Sequence, residues 1–305
     1  MKTESIKFEI EAIRNYIIKK LAENQRLLFN ELDLQMFVAR ALEQVFKIDD
    51  GYIVHLEYRL PKGWSSEFDD EYKHWGETPY FDIVLEYLPP QTPKRFIGIE
   101  LKYKLKKIDL PKPTDIQRFG CIPNSENDQR ITLVSNQGAE NEGRYDFWKD
   151  VKRLELLGQC FEQVDGGIAI FVTNQMNYNP LHVHNGANKY SCFNLTESKE
   201  GFLYWSYDGI ERPEGCQLTC GKDQCLKTAC GERLKKQPKG YNEHKDGKWG
   251  SKLCHFVRPN FSLKQTYSGI WSDDTMKIST GAEKNPKQEE FYCYSVLVPK
   301  VQSNV

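Results

Sequence analysis

Asp82 stands near the start of one apolar run, FDIVLEY (81–87), and Glu100 and Lys102 close the next, RFIGIELKY (95–103). Two carboxylates and an amine are out of place in segments that otherwise read as buried strand, because burying charge is costly unless something compensates it. Carboxylates held side by side repel each other, and a positive charge between them relieves the repulsion. Mg²⁺ does this well: it takes oxygen ligands from one or two carboxylates, keeps several waters, and can polarise a phosphoryl oxygen and activate a water. Lys102, two residues from Glu100 and projecting the same way, is placed to orient that water or to offset charge growing on the phosphorane. These residue types at this spacing suit phosphodiester hydrolysis. The competing reading is a cross-strand salt-bridge cluster on a solvated sheet face.

A β-hairpin would bring the three residues together. The turn PPQTP separates the two runs, and a hairpin centred on Gln91 sets Asp82 opposite Glu100. Alternation then puts Ile83, Leu85 and Tyr87 on one face with Ile97, Ile99 and Leu101, a core face, and Asp82, Glu100 and Lys102 on the other. Gly98 on the acidic face leaves room for a backbone or ligand to approach. Ahead of the hairpin, two helical patterns open the chain. In the second, from Asn30, residues Leu34, Phe37, Val38, Ala41 and Val45 form one apolar stripe, with Asn30 as N-cap and Glu31 in the first turn. YIVHLEYRL (52–60) alternates as a strand. Residues 104–143 read as a long polar connection. Helical periodicity returns in RYDFWKDVKRLELLGQCFEQV, with Phe147, Val151, Leu154, Leu157 and Phe161 on one face and Lys149, Lys152 and Arg153 mostly off it, and GGIAIFVTN (166–174) follows as a strand.

The motif of Asp82 followed 18 residues later by Glu100-Leu101-Lys102, in the order helix, three strands, helix, strand, resembles the PD-(D/E)xK or restriction endonuclease-like nuclease superfamily. The resemblance covers residues 28–175. It implies an α/β fold, a mixed and centrally antiparallel sheet flanked by helices, and a metal-dependent endonuclease site that uses Mg²⁺ with Mn²⁺ able to substitute. It implies that Asp82 and Glu100 bind the ion, that Lys102 assists the attacking water, and that hydrolysis leaves a 5′-phosphate and a 3′-hydroxyl. Many members add an acidic residue from the helix before the first strand, and Glu31, on the stripe of Leu34 and Val38, suits that role. Phe81 rather than proline precedes Asp82, the nearest proline being Pro79, and no QxxxY element follows the motif. A restriction or defence role is the matching expectation, by analogy of fold.

Lys104, Lys106 and Lys107 continue out of the motif strand and are candidates for phosphate contact, with DNA as the expected partner. Lys149, Lys152 and Arg153 are further candidates, and Asn136-Gln137 could reach substrate or cap a turn. A net charge of -1 gives no overall cationic field, so a nucleic-acid partner needs a local basic patch. Cys216, Cys220, Cys225 and Cys230, with His244, Cys254 and His255 beyond, invite a zinc reading; gaps of three, four and four residues lack the C-x₂-C knuckle of tetrahedral sites, which weighs against it. Nine cysteines without an export signal read as reduced thiols, which places the chain in the cytoplasm, and no window is apolar enough to span a membrane. Glu57 and Glu86 read as solvated strand acids. The expected division is a nuclease-like core over 1–175 and an elaborated C-terminal region over 176–305, either DNA-binding or packed onto the core. A homodimer stays open, as do an RNA-directed nuclease, a binding module of the same fold without hydrolysis, and a zinc-stabilised interaction protein.

Overall fold

The structure is a computed structural model that describes residues 7–60, 80–110, 131–137, 140–178, 193–195, 198–203, 261–279 and 288–300. The cysteines and histidines weighed for zinc, from Cys216 to His255, lie outside the described residues.

Helix α1 (Ile10–Ala22) buries Ile13, Ile17 and Leu21 at helical spacing, and α2 (Glu31–Glu43) buries Leu34, Val38, Ala41 and Leu42. Asn30 caps α2 as its residue type requires: its side chain accepts a hydrogen bond from the Asp33 N–H at 2.8 Å. Both helices lie on one face of a mixed sheet. The sheet runs in the order β1 (Tyr52–Arg59), β2 (Tyr80–Tyr87), β3 (Arg95–Lys104), β6 (Val164–Thr173), β11 (Gln288–Pro299) and β10 (Met276–Ser279), with β9 (Gly269–Trp271) also paired to β11. Two small ladders stand apart from it, β4 (Ile108–Leu110) with β5 (Ile131–Val134) and β7 (Lys199–Leu203) with β8 (Phe261–Tyr267). The span from 104 to 143, expected to be connection alone, thus contributes the β4–β5 pair and the start of a helix.

β1, β2 and β3 form an antiparallel meander, as the hairpin reading requires, and Ile83 pairs with Ile99 in the predicted register. The sheet is not antiparallel at its centre. β3 and β6 run parallel, because α3 (Glu140–Cys160) carries the chain back across the opposite face before β6 begins. Strands from beyond residue 175 are not confined to an outer layer: β11 pairs with β6 along its length and closes the middle of the sheet.

Two hydrophobic clusters result. Ile83, Leu85, Ile97, Ile99 and Leu101 pack with α1 and α2 on one side. Val84, Phe81, Ala169 and Phe171 pack with Trp148, Val151, Leu154 and Leu157 of α3 on the other, and Leu203, Phe261, Leu263 and Tyr267 of the β7–β8 pair join this second cluster. The face that carries Asp82 and Glu100 is therefore largely covered by α3. The space above Gly98 is filled by the same helix: a Cβ there would lie 2.8 Å from Leu154 and 2.9 Å from Leu157. Among the described residues, no helix is long and apolar enough to cross a membrane.

Candidate active site

The hairpin ladder stops at the acidic residues. Pairing of β2 with β3 runs from Tyr87–Arg95 to Ile83–Ile99 and ends, so Asp82 and Glu100 face each other across strands that have parted. On the other side of β2, the ladder to β1 skips from Leu56–Ile83 to Tyr58–Phe81, leaving Glu57 across from Asp82 without a backbone pair. Glu57 adopts φ 48°, the left-handed region that a Glu side chain disfavours, so the irregularity holds local strain.

Side chains take over the hydrogen bonds that the strands give up. The Leu101 N–H donates to Asp82 Oδ2 at 2.6 Å, and the Tyr103 N–H donates to Glu31 Oε2 at 2.9 Å. The Gln35 amide, one turn after Glu31 on α2, donates both to the Asp82 carbonyl and, at 2.9 Å, to Glu57 Oε1. Two of the predicted acids are thus fixed by the β3 backbone itself, and α2 supplies one of them, Glu31, as its place on the apolar stripe suggested.

Charge is concentrated at this break. Lys102 Nζ lies 3.2 Å from Glu31 Oε1 and 3.6 Å from Asp150 Oδ2, so it bridges α2 and α3. Arg153 Nη1 lies 3.2 Å from Glu100 Oε1 and 3.1 Å from Asp150 Oδ1, and its guanidinium sits 5.4 Å from the centre of the Phe81 ring. Four carboxylates, Glu31, Asp82, Glu100 and Asp150, surround two cations, Lys102 and Arg153. The formal balance among these six is two negative charges in excess.

Burial and the neighbouring charges together set the protonation behaviour. Burial, reinforced by the Asp150 carboxylate, pushes Asp82 up to about 6. Burial pushes Glu100 well above the usual carboxylate range, with Arg153 opposing and Asp82 and Asp150 adding to the rise. Burial pulls the Lys102 ammonium down, but Asp150, Glu31 and Asp82 outweigh it and raise it above its ordinary value. Lys102 is accordingly protonated at neutral pH and serves as a hydrogen-bond donor and positive charge rather than as a base.

The donor set fits a hard divalent cation. Its atoms are carboxylate oxygens, the excess charge is negative, and the buried Glu100 Oε1 receives no hydrogen bond although Arg153 is close. Among the described residues, no three His, Cys, Asp or Glu side chains already converge on a single ion position. Arg153 and Lys102 instead draw Glu100 and Glu31 to themselves.

Asp82, Glu100, Lys102 and Glu31 are brought together. Of the expected phosphate contacts, Lys104 continues the face of Lys102, half-buried with its side chain against Gly143. Lys106 and Lys107 are exposed past the end of β3, and Lys107 pairs with Asp109 at 2.9 Å. Lys152, a further candidate for phosphate contact, is buried in an ion pair with Glu155 at 2.8 Å, and Arg153 belongs to the acidic cluster. Gln137 spends its polar groups on Leu105, donating its N–H and accepting through its amide oxygen. Glu86 is not solvated either: it is buried between His55 and Lys94, at 3.0 and 2.5 Å. Asp150 and Gln35 had no place in the sequence reading. Their signal was a polar residue interleaved with an apolar stripe, Gln35 beside Leu34 and Val38, Asp150 beside Val151 and Leu154. No family model, curated protein or solved structure matches the chain.

Proposed function

We propose that the chain is a Mg²⁺-dependent endonuclease that hydrolyses phosphodiester bonds of DNA on a restriction endonuclease-like core. The observation that carries this reading is the break between β2 and β3, where Asp82, Glu100, Glu31 and Lys102 gather with negative charge in excess of their cations. Asp82 and Glu100, with Glu31, are the residues that would hold the ion. When bound, Mg²⁺ supplies Lewis acidity toward a phosphoryl oxygen and neutralises its charge, and Mn²⁺ can stand in for it.

The chain's own residues do the rest. Lys102, held protonated by Asp150, Glu31 and Asp82, donates a hydrogen bond to the attacking water or to the phosphate oxygens. Asp82 and Glu31 are kept in place by N–H groups of β3, so the carboxylates are oriented before substrate arrives. Lys104, along the same strand face, and the exposed Lys106 would meet backbone phosphates. The existing ion pairs of Glu100 with Arg153 and of Glu31 with Lys102 favour one second reading, a nucleic-acid-binding module of the same fold that does not hydrolyse.

Purified protein is to be incubated with plasmid DNA, genomic DNA and a matched RNA strand in Mg²⁺, Mn²⁺ or EDTA, beside Glu100→Ala and Lys102→Ala. The expected outcome is DNA cleavage that EDTA abolishes and that either variant lowers by at least about a hundredfold, the usual scale for losing one catalytic group. Folded wild type that cuts neither nucleic acid in any metal would sink the nuclease reading, and retained DNA binding in that case would establish the second.

A further inference from the structure

Glu100 is almost fully buried, and the groups that reach it differ sharply in kind. Asp82 and Asp150 raise the cost of its charge, and Lys102 is already engaged by Glu31 and Asp150. Arg153 is the cation closest to it, yet the contact is poorly directed: Nη1 stands 3.2 Å from Glu100 Oε1 and that oxygen receives no hydrogen bond. The same nitrogen makes a hydrogen bond to Asp150 Oδ1 at 3.1 Å, one turn back on α3, and the guanidinium rests against the Phe81 ring. Arg153 therefore has an anchorage that does not depend on Glu100, while Glu100 depends on Arg153 for compensation.

We propose that Arg153 is a built-in counter-ion for Glu100, which a divalent cation replaces when it loads the site. The inference rests on the reading of Glu100 as an ion ligand. In the metal-free protein the guanidinium keeps a buried carboxylate from standing unpaired, which would be destabilising. Once the ion is bound, Glu100 is compensated by it, and Arg153 keeps Asp150 and Phe81 as partners. The cost of separating Arg153 from Glu100 is subtracted from the affinity for metal, so this residue sets how much free Mg²⁺ the site requires.

The test is calorimetric titration of the full chain with Mg²⁺ at pH 8, with thermal melting in EDTA and in Mg²⁺, for wild type, Arg153→Met and Arg153→Lys. Arg153→Met keeps an apolar stem on Phe81 and removes the charge. It is expected to bind Mg²⁺ about tenfold tighter, within the range of coupling between touching charged groups. It should also melt lower than wild type in EDTA and gain more from added Mg²⁺. Arg153→Lys keeps a charge on a shorter reach and should bind about threefold tighter, so it decides the matter if the Met variant does not fold. Mg²⁺ binding to wild type with equal or weaker binding to the folded variants overturns the proposal and leaves the metal site standing. Binding to a variant but not measurably to wild type supports it. Binding to none of the three overturns both this inference and the reading of Glu100 as a ligand.

Discussion

Asp82 is an acid in a place that favours its neutral form. Its carboxyl is pushed up to about 6 by burial and by Asp150, against an ordinary 3.8. Between those values the folded protein holds a proton that the unfolded chain has released, so this group's contribution favours folding at low pH and is lost as pH rises through about 6. Above that point, in the absence of metal, ionised Asp82 costs on the order of 2–3 kcal/mol of stability. Asp82→Asn keeps an oxygen that can accept from the Leu101 N–H and removes the charge. Denaturant titration in EDTA should therefore find the Asn variant more stable than wild type near pH 7.5 by roughly that amount, with the difference vanishing near pH 4. Added Mg²⁺ should reverse the order at pH 7.5. A variant less stable than wild type at both pH values would mean that Asp82 is a structural acid. At this scale the sequence was legible for Asp82, Glu100 and Lys102, because strand alternation alone places them on one side, and for Glu31, because helix spacing does. It was silent on Asp150 and on the pairing of Arg153 with Glu100, since which charges meet across α3 and β3 is decided by the crossover that brings α3 over the sheet.

α3 is the element that closes the site, and two features hold it down. Gly98 and Gly167 let it approach the sheet so nearly that a Cβ at Gly167 would stand 2.7 Å from Leu154. On its outer side, Lys152 and Glu155 form a buried ion pair at 2.8 Å, and Glu155 Oε1 also accepts from the Lys264 N–H at 2.7 Å and from the Tyr267 hydroxyl at 2.9 Å. Glu155 thus joins α3 to β8. Removing one member of a buried pair leaves the other charge uncompensated, a loss of about 3–5 kcal/mol, whereas replacing both by apolar side chains is close to neutral. Glu155→Ala should lower unfolding stability by that amount, and Lys152→Met with Glu155→Leu should recover most of it; an equally unstable double variant would assign the loss to the bonds with Lys264 and Tyr267 instead. Periodicity showed one apolar stripe on α3 and put Lys152 mostly off it. It could not show the second covered side, because β7 and β8 come from residues 199–203 and 261–267, far along the chain.

For the molecule as a whole, the expected nuclease-like core ends at residue 175, but the hydrophobic core does not. β6 is buried along nearly its whole length, and one of its edges pairs with β11, from Thr173–Tyr292 to Gly166–Pro299. β11 buries Phe291, Tyr294, Val296 and Val298, which divide between the two clusters on either face of the sheet. The aromatic and β-branched residues of FYCYSVLVP suit a strand but do not name its partner, since more than a hundred residues of sequence lie between the two strands and local pattern carries no information about pairing at that distance. A chain cut at 175 would present β6 as a bare edge and strip apolar cover from both α1 and α3, the two conditions under which strands aggregate and packed layers loosen. A fragment of residues 1–175 is accordingly expected to show helix content by circular dichroism but no cooperative thermal transition, to bind an apolar dye, and to have no metal-dependent cleavage. The full chain should melt in a sharp transition under the same conditions. A fragment that melts sharply would mean that β11 is an added edge and that residues 1–175 hold Asp82, Glu100 and α3 in place unaided. Loss of cooperativity would instead make the C-terminal strand a requirement for the site, since it supports β6, which is the strand that pairs with β3 at Glu100 and Lys102.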